Sequence, residues 1–154
     1  MRGVEDQDSH GMESITHERT VDVAPAVAYA GWFEHVWRGG GGLGAPRMLV
    51  DGNPTTGEGS VRRVPGMVVE SVLETEPPTR VVYAVTAGPF PVSHHRGEVT
   101  FAEAPGGGCR MTWTVEWRPS AYLLLGSSAL HFIIRKSIGV LIAGWRPPSS
   151  ASNK

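Results

Sequence analysis

Residues 122–145 constrain the fold more than any other part of the chain. Leu130, Ile134, Ile138, Leu141 and Trp145 recur there at three- and four-residue steps, which puts them on one side of a helix. No proline interrupts the run until Pro147 and Pro148, which cannot continue a helix and so end it. A long helix with an apolar face needs something large to lie on. The segments ahead of it alternate with period two, so the natural partner is a curved antiparallel sheet wrapped around the helix, with any site held between the two.

A membrane span needs about 20 predominantly apolar residues with few charges. Here His131, Arg135 and Lys136 fall in the middle of the run. It reads as a buried amphipathic helix, and no stable membrane insertion is expected.

The period-two segments follow one another with turn signals between them. Residues 14–23 alternate Ile15, His17, Arg19, Val21 and Val23 against polar neighbours, giving a first strand. Pro25 opens a short amphipathic helix that ends near Trp37, and the glycine run 39–44 (GGGGLG) stops it. Further strands are predicted at 47–51, 59–64, 67–74, 80–87, 92–103 and 110–118, with a tight hairpin at 105–108 (PGGG). In the last strand Cys109, Met111, Trp113, Val115 and Trp117 face one way, against Arg110, Thr112, Thr114, Glu116 and Arg118. A slip of one residue would bury five polar side chains, so the register is firm. Strand, short helices, six strands and a long helix make an α+β domain over residues 13–146, between a polar leader (1–12) and a tail (147–154) that are both expected to be disordered.

Charge and cysteine content exclude several function classes. Lys plus Arg number 14 against 15 Asp plus Glu, with no cluster beyond a pair, so no nucleic-acid surface is expected. The single cysteine, Cys109, leaves no internal disulfide and no multi-cysteine metal site. The N-terminus has no secretory pattern, which makes cytoplasmic residence the default. The glycine run lacks a GK[ST] ending and follows a helix, so it reads as a flexible connection or pocket lip and not as a phosphate loop. There is no HExxH, no GxGxxG and no strained serine elbow.

In order and spacing, GEGSVRRVPG, VVESV, EPPTRVVYAV, GPFPV, GEVTF and GGGCRMTWTVEW resemble the Bet v 1-like, START-related (SRPBCC) superfamily, and within it the polyketide cyclase/dehydrase-like branch. The resemblance implies a helix-grip fold: a seven-stranded curved antiparallel sheet around the long C-terminal helix, with short helices after strand one. It also implies an internal cavity lined by inward strand positions. Alternation then places Arg62, Glu70, Tyr83, Phe101, Met111, Trp113 and Trp117 on the concave side. Trp32, Phe33 and Trp37 would join from the first helical region, and His131 and Arg135 from the last helix.

Arg62 and Glu70 lie across the Pro65-Gly66 turn and both point inward. They read either as a buried pair that fixes the sheet, or as Arg62 holding a substrate carbonyl or carboxylate while Glu70 moves protons. Of His94 and His95 only one can face the pocket, which argues against a metal site. Counting back from Val99 and Phe101 makes that one His95, unless Gly97 is a bulge. It reads as a general acid or base, or as a hydrogen-bonded wall residue. His131 and Arg135 share a helix face and form a polar floor if that face looks inward. The five tryptophans either line an aromatic pocket or fill the core.

The resemblance implies a hydrophobic small-molecule ligand, polyketide-like or another natural-product intermediate, whose cyclisation or dehydration is steered without cofactor or metal. The catalytic candidates are Glu70, Arg62 and His95. A non-catalytic lipid carrier or sensor is the alternative, and a partner-binding module with a tryptophan-filled cavity is a third. Whether the chain works as a monomer or a homodimer is left open.

Overall fold

In the computed structural model, which describes residues 11–119 and 127–146, the alternating segments pair as one antiparallel sheet. The expected leader over 1–10, the helical stretch 122–126 and the tail 147–154 lie outside the described residues. β1 (Glu13–Val21) leads to α1 (Pro25–Trp32), which widens into a π-type turn over Phe33–Arg38. Then follow β2 (Arg47–Val50), β3 (Val61–Val64), β4 (Val68–Glu76), β5 (Arg80–Ala87), β6 (Val92–Ala104), β7 (Gly108–Pro119) and α2 (Ser127–Gly144). The strand order is β1-β7-β6-β5-β4-β3-β2. β2 to β7 thus form a meander, and β1 joins its far edge against β7.

The firm register of β7 is realised: Cys109, Met111, Trp113, Val115 and Trp117 are all buried. Burying large apolar side chains like these stabilises by roughly 1.5–3 kcal/mol each. α2 presents Leu130, Ile134, Ile138 and Leu141 to the concave face, with Trp145 just past its end, all buried, and leaves Phe132, Ile133 and Val140 exposed. Its C-terminal carbonyls find a cation on the sheet. Arg19 Nη1 donates to the carbonyls of Ile142 and Trp145, the second at 2.6 Å, and ties the helix end to β1. Among the described residues no helix is long and apolar enough to cross a membrane.

One end of the concave face is filled by aromatic rings. Trp32 stacks on Trp37 with centroids 6.0 Å apart and meets Trp113 edge-on at 5.6 Å, while Trp37 meets Tyr83 edge-on at 5.5 Å. The space left between the rest of that face and α2 is the cavity. The glycine run closes over it with backbone shapes that side chains resist: Gly40, Gly41, Gly42 and Gly44 all have positive φ. At Gly41 a β-carbon would also stand 2.3 Å from Leu141 Cδ2, so glycine lets this loop seat against α2.

Candidate functional site

The cavity between the sheet and α2 measures about 480 Å³ and is partly open to solvent. Its apolar walls come from Val64, Val68, Val85 and Val115 on the strands and Ile134, Ile138 and Leu141 on the helix. Gly40, Leu43 and Gly44, with Pro65-Gly66 and Pro89, line it from the connecting loops. Such walls suit an apolar guest, with a few polar groups left to orient it.

Those polar groups are mainly Arg62, Glu70, Tyr83 and His95, with Ser137 from the helix. Arg62 and Glu70 are directly opposite on β3 and β4. The guanidinium donates to Glu70 Oε2 from Nε at 2.8 Å, and its Nη2 lies 2.7 Å from the same oxygen. Nη1 donates to the carbonyls of Val36 and Trp37, at 2.8 and 2.7 Å, where the first helical segment ends. The same group lies 4.1 Å over the Trp37 ring. Arg62 is only 5% exposed, and a charge so deep requires partners of this kind. Its bonds tie three pieces of chain together: β3, β4 and the C-terminal end of the π-type turn.

His95 lies in the cavity wall, and its neighbour His94 is exposed. The irregularity in β6 falls between Val92 and His94, and Gly97 pairs straight with Tyr83. His95 Nδ1 accepts the backbone N–H of Val85 at 3.2 Å, which leaves the ring proton on Nε2. Burial pushes the imidazole pKa down from its usual value, with the Glu70 carboxylate opposing the shift and His94 adding to it. Tyr83 is buried and its hydroxyl accepts the indole N–H of Trp113 at 3.0 Å. Burial and the Glu70 charge push that phenol upward, so it stays protonated.

Trp113, also expected there, lines the cavity as well; the remaining expected pocket residues sit elsewhere. Trp32, Phe33 and Trp37 are buried in the aromatic cluster and do not line the cavity, because α1 packs them against one another and against Tyr83 and Trp113. Phe101 and Met111 are core residues nearer α1, where Phe101 meets Tyr29 at 5.4 Å. Trp117 packs edge-on against His131, which bonds Glu13 at 3.2 Å and is 42% exposed at its side chain. Arg135 is exposed in an outer groove beside His17 and Lys136. His131 and Arg135 therefore form no polar floor; the helix turns them away. Cys109 is buried, and desolvation pushes its thiol pKa up. Conversely, Ser137, Val64, Val68 and Val85 were missed, although Val64, Val68 and Val85 share parity with Arg62, Glu70 and Tyr83 and could have been read from it.

The family model described as polyketide cyclase/dehydrase and lipid transport matches residues 12–135. No curated protein sequence matches the chain. Several solved structures do match in shape. Ara h 8.0201 superposes with a TM-score of 0.65 at 16% identity, covering 87% of this chain and 95% of its own. A protein from Nitrosospira multiformis gives 0.62 at 14% identity, with 92% and 100% covered. CalU16 from Micromonospora echinospora gives 0.54 at 16% identity, with 84% and 76% covered. At such identities the likeness establishes the fold alone, a helix-grip in which a curved antiparallel sheet wraps a long helix.

Proposed function

Since the chain belongs to the polyketide cyclase/dehydrase and lipid transport family, we propose that its cavity takes a hydrophobic, polyketide-like or other natural-product intermediate and promotes ring closure or dehydration. The observation that carries this reading is an apolar chamber of about 480 Å³ with one polar wall, made of Glu70, Tyr83 and His95 around the anchored Arg62. An apolar chamber folds a flexible guest into few conformers, which removes entropy from the barrier. Glu70 Oε1 has no partner among the described residues and is the acceptor for a proton drawn from a carbon between two carbonyls. Donors on the same wall then hold the oxygen where negative charge gathers. Cytoplasmic work in natural-product biosynthesis is part of this reading.

A second reading, a non-catalytic carrier, is favoured by one specific observation. Arg62 is committed to Glu70 and to two backbone carbonyls, which is what a structural clip requires. The two readings separate when an open-chain poly-β-ketone is offered to wild type and to Glu70→Gln. A cyclase turns it over, and the variant loses about 10²–10⁴-fold in rate with binding kept. A carrier binds it equally in both forms and converts it in neither.

A further inference from the structure

Resting on that reading of the cavity as a ligand site, we propose that it selects uncharged guests bearing a carbonyl oxygen and turns carboxylates away. The argument begins with charge. Arg62 is the cation on this wall, and its Nε, Nη1 and Nη2 are already engaged by Glu70 and the carbonyls of Val36 and Trp37. The ion pair is neutral in sum and leaves little of the guanidinium for an incoming anion. Glu70, whose Oε1 has no partner among the described residues, lines the same space, and its negative charge repels a carboxylate. Taking a carboxylate out of water without a partner is costly.

The hydrogen-bond inventory of the wall then specifies the neutral guest. Tyr83 spends its lone pair on the Trp113 indole N–H, and among the described residues no acceptor takes its own proton. His95 spends Nδ1 on the Val85 N–H, so Nε2–H is the free end. The two rings stand 5.8 Å apart on neighbouring strands and both line the cavity. Burial keeps the phenol protonated and the imidazole neutral at neutral pH. The wall therefore offers two neutral donors, the complement of a ketone or enol oxygen.

Equilibrium dialysis of the full chain against three probes with one ring system tests this: 2-acetylnaphthalene, 2-ethylnaphthalene and 2-naphthoate, at pH 7.5. The ketone is expected to bind best, the hydrocarbon less well, and the carboxylate about tenfold or more below the ketone. In Tyr83→Phe the ketone should lose several-fold of its advantage over the hydrocarbon. Carboxylate binding equal to or tighter than the ketone overturns the inference while leaving the cavity reading standing. Equal ketone and hydrocarbon affinities in wild type overturn the donor assignment without any variant. Failure of all three probes to bind overturns both the inference and the cavity reading beneath it.

Discussion

The Tyr83 ring lies over Gly97, its cross-strand partner, so closely that a β-carbon at 97 would stand 2.2 Å from ring carbons Cε1 and Cζ. Gly97 has ordinary strand geometry, so glycine is there for space and not for backbone freedom. That space seats the phenol in the cavity wall with its oxygen on the Trp113 indole.

Gly97→Ala must therefore displace the ring or spread β5 from β6. Overpacking of this kind costs about 1–3 kcal/mol. Urea denaturation should show a lowered midpoint with an unchanged slope, and near-ultraviolet circular dichroism should show altered tryptophan and tyrosine bands. An unchanged midpoint would mean that the ring does not sit over Gly97.

Arg62→Met should be among the most damaging single changes. It strands the Glu70 carboxylate in a site where that side chain is 13% exposed and removes the donor from the Val36 and Trp37 carbonyls. Breaking a buried pair from one side costs about 3–5 kcal/mol. Glu70→Gln keeps an acceptor for the guanidinium and should cost less, about 1–2 kcal/mol. The reverse order in denaturation would contradict the clip.

His95 makes stability depend on pH with a definite sign. Burial holds its folded pKa below the usual 6.5, so the unfolded chain takes up the proton first as pH falls. The contribution from the neutral ring is fully present above the unfolded value and is lost as pH falls through 6.5 toward the folded pKa. Wild type should lose more stability than His95→Asn between about pH 7.5 and 5.5. Parallel stability curves would show that the ring is not buried as a neutral acceptor.

At the sheet edge, Arg19→Met removes the cation from the last carbonyls of α2. The loss should be about 1–2 kcal/mol. Amide hydrogen exchange should quicken in the final turn of α2 and stay unchanged in β5 and β6.

The sheet was legible because its pattern admits one answer. In β7 five apolar residues alternate without a break, and in α2 the inward stripe from Leu130 to Leu141 keeps helical step throughout. Arg62 and Glu70 were legible as cross-strand partners because the Pro65-Gly66 turn sets the count. Depth along the sheet was not. Alternation tells which side a residue faces, but not whether another element has filled the space in front of it. Phe101, Met111 and Trp117 face inward as read, yet lie under α1 or α2 and not beside the cavity. Trp32 and Trp37 meet each other for the same reason: the approach of α1 to the sheet is a tertiary choice that no local pattern carries. His131 and Arg135 could have been placed better, since each follows an inward residue by one position and is thereby turned about 100° away.

The account stands or falls on occupancy of the cavity. The most direct measurement is native mass spectrometry of the protein purified from its own producing cells, compared with the same sample denatured. The account predicts one small molecule per chain, released on denaturation, uncharged and rich in rings or ketones. A protein that carries no small molecule, and takes up none from a mixture of apolar ketones added in excess, would contradict it.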